Sequence, residues 1–311
     1  MLKNLWMLLL AGVMALSLSA CGGQGDGPSQ TVPTALQITP EETEKPDVTE
    51  ASGEPIHETN GAERSPDALG CVTEGTEEYR GFTIDNVLHS PSEGDIHYNV
   101  YIPADYDGSV PYALYFTLPG YEGLYFQGVA RNLQSEEFGF EAQKYNNQMI
   151  IVAPQLGDWG ETSADQTIAL VEYFLEAYNI DRTKVYGSGY SGGGETMSIA
   201  VGKRPDLFTA YLQVSSQWDG EYETVAEQRL PVYLAIGRSD EYYGSQPSQE
   251  AYDKLHELYV EQGLTEEEID ELLVLDVKEH DYFTQRGMNN EHGGGGLFAQ
   301  DAEIMGWLFS H

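Results

Sequence analysis

The chain has 311 residues, which is enough for one sizeable globular domain with material left over. Its 51 acidic residues outnumber 15 basic ones and give a formal net charge of -36 at pH 7. Such a surface repels nucleic acid and anionic lipid headgroups, so we expect neither as a partner.

The first 20 residues have the features of a signal peptide. Lys3 places a positive charge before a mostly apolar run, residues 5–18, that is too short for a secure membrane span. The run ends in LSAC, which resembles a bacterial lipobox, and an ordinary secretory signal that precedes a cysteine by chance is the alternative. We predict a lipoprotein with palmitate-type lipidation at Cys21 as its only membrane attachment. Its body would lie on the extracytoplasmic face of the cell membrane.

Residues 21–70 are poor in aromatic residues and rich in Gly, Pro, Thr, Ser and Glu. Such a composition buries too little apolar surface to offset the entropic cost of ordering, so we predict a disordered acidic tether. Residues 71–311 would then form the catalytic domain. If Cys21 is lipidated, the second cysteine, Cys71, has no disulfide partner and is expected to be a free thiol.

Strand and helix patterns alternate along this domain. Apolar runs without a polar face, at residues 112–118 and 149–153, are typical of strands covered on both sides. Further strands are expected at residues 82–84, 96–103, 184–186, 210–214, 232–236 and 272–277. Helices are expected at residues 164–178, 195–201, 247–262, 265–272 and 297–309. Thr265 and Glu268 have the spacing of a capping box. The alternation predicts an α/β fold with a mostly parallel sheet and helices on both faces.

The sequence GYSGG at residues 189–193 has the G-x-S-x-G spacing of a nucleophilic serine. A reactive hydroxyl must stand clear of the backbone, which requires a sharp turn from strand to helix at the serine. Gly189 and Gly193 relieve the crowding at that turn, and Gly192 lets its N–H approach a developing oxyanion. A simple Gly/Ser surface turn is the alternative. The strand before and the helix after favour Ser191 as a nucleophile.

A nucleophilic serine needs a base, and the base needs an orienting carboxylate. Asp240 lies shortly after the apolar strand at residues 232–236, with Glu241 as the alternative acid. Two histidines follow the last strand. His292 precedes four glycines that would let its loop fold tightly against the serine, so we favour it as the base over His280.

A loop after an early strand should supply the second oxyanion donor. The N–H of Tyr121, in the sequence LPGYEG, is the expected partner of the Gly192 N–H, and a simple Pro-Gly turn is the alternative. Trp159 and Trp218 follow strands and are expected at the rim of a substrate pocket together with Tyr190. Core packing is the alternative for the two tryptophans.

The segment DRTKVY leading into GYSGG resembles the α/β-hydrolase superfamily, and so does the opening stretch IHYNVYIP to YALYFTLPGYEG. The resemblance covers Tyr79 to Phe309. It is to the secreted esterase branch, which includes polyhydroxybutyrate-depolymerase-like, feruloyl-esterase-like and prolyl-oligopeptidase-like catalytic domains. The chain departs from the family where the usual His-Gly oxyanion signature reads Leu-Pro-Gly-Tyr. The resemblance implies acyl transfer to water through an acyl-serine, without a cofactor. No His/Asp spacing in the sequence forms a recognisable metal-ligand set, so we expect no metal.

Three functions are compatible with this pattern. Peptidases of this branch carry a large propeller domain, for which residues 71–311 leave no room, so we favour a small-molecule or oligomeric ester as substrate. A small peptidase or amidase with the same machinery is the second hypothesis, and a non-enzymatic surface binding protein is the third. Whether residues 241–271 form a lid stays open at this point.

Overall fold

The computed structural model describes residues 69–311. The predicted signal peptide, the lipidation site at Cys21 and nearly all of the predicted tether lie outside the described residues. Within residues 69–311, no helix combines the length and the apolar character needed to cross a membrane. Cys71 is a free, exposed thiol in this region.

Ten strands in the described region form a single sheet. They are β1 (Cys71–Thr73), β2 (Glu77–Tyr79), β3 (Phe82–Ser90), β4 (Gly94–Tyr101), β5 (Tyr112–Leu118), β6 (Met149–Pro154), β7 (Ile180–Tyr190), β8 (Ala210–Val214), β9 (Val232–Gly237) and β10 (Leu273–Lys278). Their order across the sheet is β1-β3-β4-β6-β5-β7-β8-β9-β10, and β2 pairs with β3. The strands from β6 to β10 in this order run parallel, whereas β1 to β4 pair antiparallel at one edge. The predicted mostly parallel sheet is therefore confirmed.

Nine α-helices pack around this sheet in the described region. They are α1 (Arg131–Ser135), α2 (Phe138–Ala142), α3 (Glu161–Ala177), α4 (Gly192–Lys203), α5 (Tyr222–Gln228), α6 (Gln246–Glu261), α7 (Glu266–Leu272), α8 (His280–Thr284) and α9 (Ala302–Leu308). Apolar residues of α3 to α7 belong to one core cluster, and those of α2, α8 and α9 belong to a second one. The helices thus cover both faces, as the sequence predicts.

Strand β5 shows why a continuous apolar run is needed at the centre of the sheet. All seven of its residues are buried. Because successive side chains point to opposite faces, Leu114 and Phe116 enter the first cluster while Ala113 and Tyr115 enter the second. The C-terminal ends of β5, β6, β7 and β9 lie along one edge of the sheet, and the loops that follow them carry the candidate site.

The C-terminal segment corrects one prediction. The single helix expected at residues 297–309 is instead a 3₁₀ turn, Gly295–Gln300, followed by α9. The Asp301 side chain accepts a hydrogen bond from the Glu303 N–H and caps α9, so the α-helix begins only after it. The capping box at the start of α7 is confirmed, because the side chains of Thr265 and Glu268 each accept the other residue's backbone N–H.

Residues 241–271 do not form a lid over the site. Helix α6 buries Ala251, Leu255 and Tyr259 in the first core cluster, and α7 buries Ile269 there. Only the first residues of this segment, which precede α6, reach the candidate site described below.

Candidate active site

Ser191 lies at the sharp turn between β7 and α4. Its backbone has φ 54° and ψ -127°, a region that residues with a side chain rarely adopt. The turn is held because the Ser191 N–H donates to the Val214 carbonyl at 3.0 Å and the Ser216 hydroxyl donates to the Ser191 carbonyl at 2.7 Å. A Cβ on Gly189 would stand 2.3 Å from the Gly193 carbonyl oxygen, so the glycine two residues before the serine is a steric requirement.

His292 connects Ser191 to Asp240. The Ser191 Oγ lies 3.1 Å from His292 Nε2, and His292 Nδ1 lies 2.9 Å from Asp240 Oδ2 and 3.1 Å from Oδ1. An ionised carboxylate only accepts hydrogen bonds, so Nδ1 carries the proton and Nε2 is left to accept from the Ser191 hydroxyl. The three predicted residues therefore form one chain of hydrogen bonds.

Backbone N–H groups and the His292 ring together hold the Asp240 carboxylate in place. Its side chain has no solvent exposure, and Oδ1 also accepts the backbone N–H groups of Tyr242 and Tyr243 at 3.0 and 2.9 Å. These bonds orient the carboxylate toward His292 and compensate it for the loss of water.

The two alternative residues have other partners. The His280 Nδ1 lies 3.0 Å from Glu291 Oε1, at the start of α8. The Glu241 Oε2 accepts the backbone N–H of His292 at 2.9 Å and contacts no histidine ring among the described hydrogen bonds. The geometry thus brings His292 and Asp240, and neither alternative, to Ser191.

A cavity of about 440 Å³ opens above Ser191. Its aromatic lining comprises Tyr121, Trp159, Tyr190, Tyr242 and Tyr243. Tyr121 and Tyr242 are the exposed members at its mouth, at 56% and 73% exposure. Trp159 and Tyr190 therefore lie where the sequence predicts them, along the walls of a pocket.

Trp218 does not line this cavity. It is buried at 8% exposure in the first core cluster, stacks on Tyr222 and donates its indole N–H to the Gly220 carbonyl. The structure therefore corrects the expectation that Trp218 borders the pocket. The segment after β8 contacts α4, since the Asp219 N–H donates to the Ser198 hydroxyl at 2.9 Å, and the neighbouring Trp218 ring is part of the core.

The loop after β5 runs beside the serine. A Cβ on Gly120 would lie 3.3 Å from the Ser191 Cβ, so this loop and the nucleophile are in close contact. The Gly120 N–H donates to Glu136 Oε1 at 2.8 Å and is therefore occupied. Tyr121 and Gly192 each begin a helical turn, where backbone N–H groups have no acceptor within the helix. Both amides are thus free of helical bonds beside the nucleophile.

Glu136 lines the same cavity, together with Glu122. Loss of solvent raises the pKa of the Glu136 carboxyl to about 8, the Gly120 N–H opposes this, and the charge of Glu122 adds to it. A carboxyl group beside the loop of Gly120 is therefore protonated at neutral pH.

Sequence reasoning did not identify Tyr242, Tyr243 or Glu136. The two tyrosines directly follow Asp240, and aromatic residues next to a candidate acid are a signal that could have indicated a pocket wall. Tyr243 also donates its hydroxyl to Glu195 Oε1 at 2.7 Å, and burial raises its pKa. For Glu136 no local signal exists, because it lies on a short connection between α1 and α2 in a chain full of carboxylates.

The sequence matches the prolyl oligopeptidase family (peptidase S9) over residues 155–270. This stretch contains Ser191 and Asp240 and ends before His292. No curated protein matches the chain in sequence.

Solved structures resemble the described domain. A thermostable esterase superposes with a TM-score of 0.60 at 21% identity, over 74% of this chain and 63% of that one. Oligopeptidase B from Leishmania major superposes with a TM-score of 0.47 at 14% identity, over 73% of this chain and 37% of that one. Est1E from Butyrivibrio proteoclasticus gives 0.49 at 12% identity, over 74% of this chain and 98% of that one. The chain thus covers less than two thirds of the length of the thermostable esterase and of oligopeptidase B.

At these identities the structural likeness establishes the fold alone. The parallel sheet, the strand-turn-helix at Ser191 and the superposition on the esterase all agree. The described domain therefore has the α/β-hydrolase fold.

Proposed function

We propose that this protein hydrolyses carboxylic esters through an acyl-serine intermediate, with Ser191 as nucleophile, His292 as general base and acid, and Asp240 as the orienting acid. The observation that carries the proposal is the chain of hydrogen bonds from the Ser191 Oγ through His292 to Asp240, at the floor of a cavity. No step in this reaction requires a metal or cofactor.

The reaction follows from these contacts. As the Ser191 Oγ attacks the ester carbonyl carbon, its proton passes to His292 Nε2, and Asp240 stabilises the imidazolium through Nδ1–H. His292 then gives the proton to the departing alcohol oxygen as the C–O bond breaks. Water attacks the acyl-serine, His292 takes the water's proton, and the Ser191 Oγ regains it as the acid leaves.

The charge that develops on the carbonyl oxygen needs donors in fixed positions. We assign this role to the N–H groups of Gly192, directly after Ser191, and of Tyr121, in the loop of Gly120 beside it, since each begins a helical turn. The neighbouring Gly120 N–H is already bonded to Glu136 and is not used.

The cavity lining supports a substrate class. The carboxyl groups of Glu122 and Glu136 line it together with five aromatic side chains, and it contains no Lys or Arg. A carboxylate on the substrate would meet the charge of Glu122 without a Lys or Arg partner, whereas apolar and aromatic groups would pack on the rings. We therefore propose a neutral ester with an apolar or aromatic acyl or alcohol group.

Peptide-bond cleavage is the second candidate, because the match to the prolyl oligopeptidase family favours it. The same nucleophile and base serve both reactions, so the contacts around Ser191 do not discriminate between them. The leaving group is an amine in one case and an alcohol in the other.

We also propose that the enzyme works at the outer face of the cell membrane, held there by a lipid on Cys21. This rests on the sequence LSAC and on the composition of residues 21–70.

Turnover of matched chromogenic substrates tests the proposal. We expect p-nitrophenyl butyrate to be hydrolysed with a kcat/KM at least about tenfold above that of the p-nitrophenyl half-ester of succinate, because the latter places a carboxylate in an acidic cavity. Peptide p-nitroanilides should be turned over more slowly than the butyrate. Preference for the nitroanilides would replace the esterase proposal with the peptidase one.

A further inference from the structure

Two glutamates connect the loops of the acid and the base reciprocally. Glu241, directly after Asp240, accepts the backbone N–H of His292 at 2.9 Å. Glu291, directly before His292, accepts the backbone N–H of Ser239 at 2.7 Å. Each loop therefore offers a carboxylate to the backbone of the other, on either side of the Asp240–His292 hydrogen bond.

The site of Glu291 is built for a carboxylate. The residue is 1% exposed, and its second oxygen lies 3.0 Å from the His280 Nδ1. A Cβ at position 237 would stand 2.6 Å from Glu291 Oε2, so Gly237 at the end of β9 provides the space. A buried carboxylate without partners would be costly, and here both oxygens have donors. The reaction described above makes no use of this group.

We propose that Glu291 is the principal positioning residue of the Asp240–His292 pair, with Glu241 as a weaker second contact; the inference rests on the proposed function. The Asp240 loop follows β9, which pairs with β10, but His292 lies beyond both β10 and α8, so this strand pairing stops short of the base. The reciprocal hydrogen bonds set the distance between them, and with it the alignment of the imidazole toward the Ser191 Oγ. A displacement of 1 Å in such a pair costs about 10²-fold in rate.

The two contacts differ in strength because they differ in burial. Glu241 is exposed, so water can replace its carboxylate at the His292 N–H. Glu291 is shielded, and its removal takes away the protein acceptor of the Ser239 N–H, whereas the exposed His280 ring can bond water instead. We therefore expect the loss of Glu291 to be the more harmful.

Four variants test this order: Glu291→Gln, Glu291→Ala, Glu241→Gln and, as a control, Asp276→Asn. Asp276 is a carboxylate on β10, 17% exposed and paired with Lys278, that does not line the cavity. The measurements are kcat and KM with p-nitrophenyl butyrate, the thermal midpoint, and hydrogen exchange of the Ser239 amide. The exchange measurement requires no activity.

We expect kcat to fall about tenfold in Glu291→Gln and about 10²-fold in Glu291→Ala, with KM nearly unchanged, because the alignment and not the pocket is altered. Exchange at Ser239 should accelerate in both variants. Glu241→Gln should lose only a small factor in kcat, and Asp276→Asn none. Should Glu291→Ala fail to fold, Glu291→Gln carries the test.

Unchanged kcat in folded Glu291 variants would overturn the inference, as would an equal loss of kcat in Asp276→Asn. An inert wild-type protein would instead contradict the proposed function. In that case the exchange rate of the Ser239 amide still tests the role of Glu291. An unchanged rate in Glu291→Ala would show that the two loops do not depend on this contact.

Discussion

The hydroxyl of Tyr190 donates a hydrogen bond of 2.6 Å to the main-chain carbonyl of His292. Tyr190 is the last residue of β7 and the direct neighbour of Ser191, so the turn that presents the nucleophile also holds the loop of the base. Burial raises the pKa of this phenol, and the hydroxyl therefore stays protonated as a donor across the accessible pH range.

Tyr190→Phe should weaken this link without emptying the wall of the cavity. The ring that stacks against His292 is retained, and one hydrogen bond is lost, which corresponds to about 1 kcal/mol of unfolding free energy. We expect a lower thermal midpoint and a few-fold lower kcat. Denaturant unfolding together with initial rates measures both, and an unchanged stability would show that the carbonyl finds another donor.

Asp240→Asn should reduce kcat on the order of 10⁴-fold with little change in KM, because an amide in place of the carboxylate no longer selects the Nδ1–H tautomer of His292. Steady-state kinetics at neutral pH measures the loss. A variant that keeps most of its activity would transfer the role of the acid to another carboxylate, with Glu241 as the first to examine.

Glu136→Gln should change the alkaline side of the pH profile. The pKa of Glu136 is about 8, so the carboxyl is neutral below this pH and becomes negative above it. A negative charge beside the loop of Gly120 and Tyr121 opposes the oxyanion, so kcat/KM of the wild-type protein should fall as the pH rises above about 8. In Glu136→Gln this fall should be absent, and its persistence would assign it to another group.

Glu136→Gln should also change how the stability of the folded protein depends on pH. Because the pKa of Glu136 in the folded protein exceeds its ordinary value of 4.5, the folded state binds the proton more tightly than the unfolded state does. Its contribution to stability is full below about pH 4.5 and is lost as the pH rises to about 8. The thermal midpoint of the wild-type protein should therefore fall relative to that of Glu136→Gln across this range.

Gly192→Ala should reduce activity through a steric conflict. A Cβ at this position would stand 2.6 Å from the ring of Trp159, which would displace either the ring or the Gly192 N–H. We expect a loss of about 10²-fold in kcat, comparable to removal of one oxyanion donor. Gly157→Ala is the matched control, since a Cβ there meets nothing within 4 Å. A Gly192→Ala variant with full activity would show that the Trp159 ring moves aside and leaves this amide in place.

The sequence predicted the parts of this molecule that depend on local pattern. The apolar runs at β5 and β6, the spacing of GYSGG and the capping box at Thr265 each follow from steric or hydrogen-bonding requirements within a few residues. Chain order was also enough to favour Asp240 and His292 over their neighbours, because the loops after parallel strands meet at one edge of the sheet.

The contacts that cross between loops could not be predicted. Glu136 bonds Gly120, which is 16 residues away in the sequence, and Glu291 bonds Ser239, which is 52 residues away. No local pattern separates these carboxylates from the many others. The prediction that Trp218 borders the pocket was wrong for a related reason. A position directly after a strand does not decide whether an aromatic ring turns toward a pocket or into the core.

Ser191 is proposed to be a nucleophile that His292 activates, and labelling with a fluorophosphonate probe detects such a serine directly. The wild-type domain, residues 69–311, should be compared with Ser191→Ala, His292→Ala and His280→Ala under conditions in which all four are folded. We expect rapid labelling of the wild type, none of Ser191→Ala, almost none of His292→Ala, and continued labelling of His280→Ala. A folded wild-type protein that does not react, or one that reacts equally well without Ser191, would contradict this role of Ser191.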